Sequence, residues 1–313
     1  MRVIDVHGAH VVDFERYHLD QGDTKRSRDL GYSILDFVHD AEKFLRADPQ
    51  NRITVLPNPF PIFESFKHSS GRDFDIYPYF YENTQVLQAL TFMDKIGLGE
   101  RVFPFFGISP GDAELKGYAD YLRALVKKTR GGLKFHPLAL NMPISSLSDS
   151  PFLDLAKDQR MPVLVHTGRD KYSDSRQLVP IARENRAVNF CAAHFGYFRR
   201  EFLEAVSGVP NLFLDTSILS ALFAEIKEGN PKHVNLADIP ESVRTSSNSE
   251  IFGWLVDTYG LEDKLLFGSD MKWTRTVGSS RGGEIKFAED LKYTKEKKNK
   301  WMYSNALRFL GIE

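Results

Sequence analysis

The chain has 313 residues, with 41 Lys and Arg against 42 Asp and Glu, so its formal net charge at pH 7 is −1. This balance excludes non-specific binding of nucleic acid through net charge. The N-terminal MRVIDVHGAH has no apolar stretch long enough for a secretory leader, and no run of about 20 apolar residues occurs later, so we expect neither a leader nor a membrane-spanning helix. Cys191 is the single cysteine, so no internal disulfide can form and a reducing compartment is the simplest expectation. We therefore expect a cytoplasmic protein that binds neither nucleic acid nor membrane.

Eight short apolar segments recur along the chain and predict β-strands. Most are almost continuously apolar, which is typical of strands that are covered on both faces. The predicted strands are 2–6, 53–57, 102–106, 132–135, 163–166, 188–192, 212–215 and 265–268.

The segments between these strands have the apolar spacing of helices. In 84–96, for example, Val86, Leu90 and Met93 recur at helical intervals. The predicted helices are 84–96, 113–128, 149–159, 175–185, 198–207 and 249–259. Strands that alternate with helices favour a parallel sheet, and eight repeats are the number that closes a barrel. The sequence therefore predicts an α/β fold, a (β/α)8 TIM barrel, as a single domain over residues 1–313.

Three connections are longer than a minimal βα unit. They are 11–51, 58–78 and 218–248, after strands 1, 2 and 7, and the pattern of 233–249 is that of a loop. In a barrel, insertions after strands lie over the catalytic face and often form lids. Surface decoration is an equally good interpretation. Association of copies through these connections would give a homo-oligomer.

Imidazole and carboxylate groups occur where the predicted strands end. His7 ends the first strand, His136 follows the fourth, His166 ends the fifth, His194 follows the sixth and Asp270 the eighth. Because the carboxyl ends of barrel strands meet at one rim, these groups are expected to converge. Such a cluster predicts an active site rather than five unrelated structural roles.

Six segments around these residues carry a resemblance to a known family. They are IDVHGAH, GGLKFHP, MPVLVHTG, VNFCAAHFG, NLFLDTS and LLFGSD. In this order and spacing the chain resembles the amidohydrolase superfamily, especially its amidohydrolase-related branch. The closing WMYSNALRFLGI is similar to the terminal helix of that branch, so the resemblance covers essentially the whole chain.

The resemblance implies a divalent metal, expected to be zinc with manganese as the alternative. By position, the implied metal ligands are His7, His10, His166 and Asp270. The implied catalytic residues are Asp270, which accepts a proton from metal-activated water, and His194, which acts as an acid or base. Imidazole nitrogen and carboxylate oxygen suit such an ion, and the absence of ligating cysteines favours a catalytic over a structural site.

The first strand departs from the family pattern. The family has Asp-x-His-x-His, with its polar side chains on one face because strand side chains alternate. Here the order is Asp5-Val6-His7-Gly8-Ala9-His10, so His10 on a regular strand would point away from His7. One interpretation is that Gly8 permits a bulge that turns His10 inward. The other is that His10 is not a ligand and the metal site is weakened or lost.

Lys134, His136 and Arg169 are the candidate substrate-binding residues. Lys134 and His136 are two residues apart on a predicted strand and so share a face, and Arg169 is suited to bind a carboxylate. A buried lysine must be paired, deprotonated or modified. The branch that the chain resembles is usually mononuclear, but the binuclear members of the superfamily imply an alternative, in which carboxylated Lys134 bridges two metals.

Three functions follow from these features. The leading hypothesis is a metal-dependent hydrolase of a small ester, lactone or amide. The alternative is a metal-dependent decarboxylase (a lyase) of a small aromatic or unsaturated carboxylic acid, which would use the same ligands. The displaced His10 motivates a third hypothesis, a metal-free hydrolase or a non-catalytic binding barrel.

Overall fold

The computed structural model describes residues 1–11, 33–59, 78–115, 117–229, 232–271 and 280–313. Within these ranges eight parallel strands form one sheet, in which each strand pairs with the next along the chain. The strands are β1 (Ile4–Val11), β2 (Arg52–Pro57), β3 (Val102–Ile108), β4 (Gly132–Phe135), β5 (Val163–Val165), β6 (Phe190–Ala192), β7 (Leu212–Asp215) and β8 (Leu265–Leu266).

Main-chain hydrogen bonds join the last strand region to the first. The N–H of Val6 donates to the carbonyl oxygen of Phe267 at 3.0 Å, and those of Ser269 and Asp270 donate to that of His7 at 3.1 and 2.6 Å. The sheet is therefore almost closed, and the predicted TIM barrel is confirmed.

Helices cover the outside of the barrel. The described α-helices are α1 (Ile34–Ala47), α2 (Phe80–Lys95), α3 (Tyr118–Lys128), α4 (Pro137–Leu140), α5 (Pro151–Gln159), α6 (Leu178–Glu184), α7 (Arg200–Val206), α8 (Leu219–Glu228), α9 (Glu241–Arg244), α10 (Asn248–Tyr259), α11 (Arg281–Asp290), α12 (Lys295–Asn299) and α13 (Asn305–Leu310). Each predicted helix overlaps one of them, with shifted ends. The helix predicted over 113–128 begins only at Tyr118, because Gly117 before it has a left-handed backbone (φ 83°).

Side chains of the strands alternate between two apolar layers. On β5, Val163 and Val165 pack outward against the helices, whereas Leu164 points into the barrel. The inner layer is closed at the amino-terminal end by Phe309 of α13. The next inward position after Leu164 is His166, so the polar groups begin where the apolar inner layer ends.

The long connections are described in part. Residues 12–32, 60–77 and 272–279 lie outside the described residues, and with them about half of the connection 11–51 and most of the connection 58–78. After β7, the expected connection contains α8 and α9, where the sequence indicated a loop over the second half. None of the helices within the described ranges is both long and apolar enough to span a membrane.

Candidate metal and catalytic site

The first strand contains a bulge next to its histidines. Asp5 pairs with Ile53 and Ala9 pairs with Val55, so three residues of β1 lie opposite a single residue of β2. Bulges of this kind are common beside active sites, where they redirect side chains. The bulge that the sequence indicated at Gly8 is therefore present.

The bulge changes the direction of His7 rather than that of His10. Val6 belongs to the inner apolar layer, whereas Ala9 and Val11 belong to the outer one. His10 lies between two outward residues and keeps the inward direction of a regular strand. His7, inside the bulge, is the residue turned inward. The sequence-based interpretation was therefore right that a bulge is present but wrong that it redirects His10.

Gly8 is required by this bulge, which gives a testable prediction. A Cβ at Gly8 would lie 2.3 Å from the carbonyl oxygen of Thr54. We expect Gly8→Ala to lower the free energy of unfolding by about 1–3 kcal/mol, because the strand must move, and to weaken metal binding. Urea denaturation measures the first effect. Gly253→Ala is the matched control, because a Cβ there meets nothing within 4 Å, and it is expected to be neutral or slightly stabilising.

His7, His10 and Asp270 converge at the carboxyl-terminal end of the barrel. One ligand atom from each lies within 4.8 Å of the others, and all three side chains are buried. His7 Nε2 is 3.9 Å and His10 Nε2 is 3.8 Å from Asp270 Oδ1. Two imidazole nitrogens and one carboxylate oxygen are a donor set that zinc, manganese and related ions accept. These residues therefore fit a divalent metal.

Asp270 holds its position through an uncommon backbone conformation. Its φ is 45°, in the left-handed region that Asp tolerates better than most residues. Its N–H donates to the carbonyl oxygen of His7 at 2.6 Å. The main chain thus ties the carboxylate to the strand that carries both histidines, and strained backbone of this kind is concentrated at functional sites.

Asp215, at the end of β7, orients His7 from the side opposite Asp270. Its Oδ2 accepts a hydrogen bond from His7 Nδ1 at 3.0 Å, which leaves His7 Nε2 unprotonated for a ligand role. Burial raises the pKa of Asp215, but the electrostatic interaction and the hydrogen bond with His7 outweigh it, so the net pKa lies well below its usual value. The sequence indicated only hydrogen bonding in the barrel mouth for Asp215; the available signal was an acidic residue directly after a buried strand.

Asp215 also holds His194, through Ser217. Asp215 Oδ1 accepts the N–H groups of His194 and Ser217, both at 3.0 Å, and the Ser217 hydroxyl at 2.5 Å. Because that hydroxyl donates to Asp215, its oxygen accepts from His194 Nδ1 at 2.9 Å. The proton of neutral His194 is therefore on Nδ1, and Nε2 carries the free electron pair.

His166 lies next to His194, at the edge of the cluster formed by His7, His10 and Asp270. Its Nδ1 is 3.1 Å from His194 Nε2, and its ring stacks on His136 with the centroids 4.0 Å apart. Burial, followed by the neighbouring imidazoles, holds the pKa values of His166 and His194 well below the usual range. Both rings are therefore neutral at pH 7. Among the described residues, His166 is in neither three-residue group that could hold a metal, and its ligand role stays a prediction.

The three predicted substrate-binding residues differ in their positions. Lys134 Nζ is 3.4 Å from His7 Nε2, and burial lowers the pKa of Lys134 to about 8 against the opposing charges of Asp215 and Asp270. His136 borders the site through His166, while its Nδ1 accepts the N–H of Ala139. Arg169 is exposed, and no hydrogen bond or ion pair of its side chain occurs within the described ranges. The structure therefore brings Lys134 to the cluster, His136 to its edge and Arg169 to neither.

Asp5 faces away from the cluster. In the Asp-x-His-x-His pattern of the family, by contrast, all three polar side chains of the first strand share a face. Its carboxylate accepts the N–H and hydroxyl of Ser269 at 2.9 and 2.6 Å, and Nε of Arg281 at 2.8 Å. Arg281 also pairs with Asp40 of α1. Asp5 thus connects β1 to the residue before Asp270 and to the outer helices.

The turn that carries His194 is left-handed. Residues His194–Phe198 form a 3₁₀ turn in which all five φ angles lie between 53° and 59°. Left-handed helical backbone costs roughly 1–2 kcal/mol for each residue other than glycine. The sequence does not predict this turn, because Gly196 is the one residue of the five that adopts this backbone without steric cost.

Cys191 lies in the inner layer beneath the cluster, and its chemistry can be predicted. Burial, followed by the charge of Asp215, raises the pKa of its thiol well above the usual value. Because the thiolate is the reactive form, we expect no reaction of the folded protein with a disulfide reagent. One thiol per chain should react in denaturant; rapid labelling of the folded protein would contradict the burial.

Comparison with known proteins places this geometry in a family. A family model described as Amidohydrolase matches residues 79–312, from before α2 to the end of the barrel. The chain belongs to this amidohydrolase family. The strand with the irregular histidine pattern precedes the matched residues. No curated protein matches this sequence.

Solved structures share the amidohydrolase chain's fold over its full length. The 5-carboxyvanillate decarboxylase of Sphingomonas paucimobilis has 11% identity and a TM-score of 0.62, with 100% of this chain and 99% of that chain covered. An uncharacterized TIM-barrel protein of Bordetella bronchiseptica has 14% identity and a TM-score of 0.59 over the same shares. A dihydroxybenzoic acid decarboxylase of Polaromonas sp. JS666, with bound manganese and the inhibitor 2-nitroresorcinol, has 11% identity and a TM-score of 0.59 over 99% and 97%. At these identities the likeness shows the TIM-barrel fold alone.

Proposed function

We propose that the chain is a metal-dependent hydrolase that acts on a small ester, lactone or amide. The observation that carries this proposal is the convergence of His7, His10 and Asp270 at the carboxyl-terminal end of the barrel, with His194 Nε2 4.0 Å from Asp270 Oδ2. Active sites of TIM barrels lie at this end. Membership of the amidohydrolase family supports the same reaction class.

His7, His10 and Asp270 would hold the metal, with His166 as the further ligand that the family resemblance implies. A divalent ion in such a site supplies Lewis acidity, which polarises a carbonyl oxygen and lowers the pKa of water to about 7. The donor set suits zinc, and manganese is the alternative. Manganese receives support from the solved Polaromonas enzyme, which contains it.

The protons are handled by Asp270 and His194. The carboxylate of Asp270, which faces both histidines of β1, is proposed to accept a proton from the attacking water. Neutral His194 presents an unprotonated Nε2, held in that orientation by Ser217. It can take up the proton and deliver it to the leaving oxygen or nitrogen. Lys134, which lies beside His7, is proposed to bind a substrate oxygen together with His136 and Arg169.

A metal-dependent decarboxylase is the second candidate. It is favoured by the decarboxylases among the solved structures that share the fold over the full chain length. In this reaction the same acid–base pair would deliver a proton to the carbon that loses CO₂. The substrate would be a small aromatic or unsaturated carboxylic acid.

We extend the proposal to a cytoplasmic, single-domain enzyme for small molecules. Support comes from the balanced charge and from the single cysteine, which is buried and free. Association into a homo-oligomer stays a prediction.

Elemental analysis of the purified protein tests the proposal first. We expect about one divalent ion per chain, with its loss in His10→Ala and Asp270→Ala. His39→Ala is the matched control, because His39 is exposed on α1, and it should retain the ion. A wild-type protein that binds no ion after incubation with zinc or manganese would refute the function and favour a metal-free hydrolase or a binding barrel.

Product analysis then separates the two reactions. The metal-loaded protein is incubated with small esters, lactones and amides, and separately with 5-carboxyvanillate and 2,6-dihydroxybenzoate. Release of acid or amine supports the hydrolase, whereas release of CO₂ supports the decarboxylase. Asp270→Asn serves as the inactive control in both assays.

A further inference from the structure

The left-handed turn places two side chains on the face that borders the site. In a 3₁₀ turn, residues three apart lie one above the other, so His194 and Tyr197 share a face. Their ring centroids are 5.5 Å apart.

The opposite face of the turn stabilises it by packing. Phe195 and Phe198 are also three apart, their ring centroids are 5.0 Å apart, and both are buried in the outer apolar layer. Gly196 stands between the two faces with a φ of 59°, and a Cβ on it would lie 2.4 Å from the ring of Phe202. The pattern His-Phe-Gly-Tyr-Phe therefore matches the turn at every position, and the strain is offset by burial.

The hydroxyl of Tyr197 has no hydrogen-bond partner within the described part of the chain, although the residue is only 7% exposed. Its ring lies between those of His194 and His233, 5.6 Å from the latter. A tyrosine whose side chain is this deeply buried normally has a partner for its hydroxyl. A polar group in a strained turn beside an acid–base histidine points to a ligand as that partner.

We propose that the Tyr197 hydroxyl donates a hydrogen bond to an oxygen of the bound substrate, on the side of the site next to His194. This assignment rests on the proposed metal-dependent function and adds to it the group that recognises the substrate. The ligand class is a small molecule with a carbonyl or carboxylate oxygen at the reacting centre. A phenol is a donor at neutral pH, and a neutral donor stabilises developing oxygen charge without adding a second cation beside Lys134.

The test uses Tyr197→Phe, which removes only the hydroxyl, with Tyr259→Phe as the matched control. Tyr259 is 8% exposed, lies at the end of α10, and its hydroxyl likewise makes no hydrogen bond within the described ranges. The probe is acetohydroxamate, titrated calorimetrically into the zinc-loaded proteins. Elemental analysis and thermal denaturation are carried out on the same samples.

We expect Tyr197→Phe to bind acetohydroxamate about tenfold more weakly than wild type, which corresponds to one hydrogen bond of about 1.4 kcal/mol. Its zinc content and melting temperature should equal those of wild type, and Tyr259→Phe should bind the probe normally. Equal binding by wild type and Tyr197→Phe, or no binding by zinc-loaded wild type, would overturn the assignment. Absence of zinc from wild type would instead refute the proposed function itself and the assignment with it.

Discussion

Asp270→Asn is expected to lose the metal and the activity together. The amide removes the negative charge that faces both histidines of β1, and it cannot take up the proton of the attacking water. Removal of a group that only supports a metal ligand lowers metal affinity about 10–100-fold. Because Asp270 is itself a proposed ligand, we expect the affinity for zinc to fall at least about 100-fold. We expect kcat, measured with whichever substrate the product assays identify, to fall by about 10³-fold or more.

Zinc affinity is measured by competition with a chelating dye. Asp257→Asn is the control, because that carboxylate is 70% exposed on α10 and is remote from the site. An Asp270→Asn protein that binds zinc as tightly as wild type would remove Asp270 from the ligand set. Retained zinc with lost turnover would restrict Asp270 to proton transfer.

Asp215→Asn is expected to have the second largest effect, although Asp215 is not proposed as a metal ligand. Its carboxylate accepts hydrogen bonds from His7, His194 and Ser217. An amide nitrogen in place of one oxygen would put donor against donor in a buried site. We expect the free energy of unfolding to fall by about 3 kcal/mol or more. We also expect zinc affinity to fall about 10–100-fold, because the orientation of His7 is no longer fixed.

The pH dependence of the unfolding free energy distinguishes the contribution of the Asp215 charge from that of its packing. The pKa of Asp215 is lower in the folded chain than the ~3.9 of an unfolded aspartate. Its ionised form therefore contributes stability that is complete above about pH 4 and is lost as the pH falls towards the folded-state pKa. The difference in unfolding free energy between wild type and Asp215→Asn should be constant near neutrality and shrink below about pH 4.

Urea denaturation at several pH values measures this difference. Asp154→Asn is the control, since its carboxylate is 75% exposed and its one ion pair within the described residues is with Lys157, a pair that contributes less than about 1 kcal/mol. A difference that stays constant down to pH 2 would show that packing, rather than charge, accounts for the loss.

The barrel could be predicted from sequence because its strands are covered on both faces. Each then carries a run of apolar residues that stands out from the amphipathic helices, and the ends of β4 and β7 agree with prediction to the residue. The position of His194 and Asp270 at strand ends followed from the same pattern. That residues 1–313 form one domain stays a prediction.

The parts that escaped prediction depend on contacts between distant segments. The role of Asp215 appears only when the ends of β7 and β1 meet at the same rim of the barrel, because Asp215 and His7 are more than 200 residues apart in the chain. The left-handed turn at His194 depends on the packing of Phe195 and Phe198 against other helices, a tertiary effect that outweighs local backbone preference. The bulge was indicated by Gly8, but the identity of the redirected histidine required the pairing of β1 with β2.

The bulge in β1 has a consequence for how such chains are recognised. Its extra length over β2 is two residues, an even number, so the alternation of inward and outward side chains resumes unchanged beyond it. An odd insertion would have reversed every later residue of the strand and exposed Val11 to the interior. An insertion of two residues changes the strand only at the bulge, and both histidines still point inward with a different spacing. Both imidazoles of the strand therefore point inward, although their spacing in the sequence differs from the family pattern. A sequence search for two histidines at one fixed interval would miss a site of this kind.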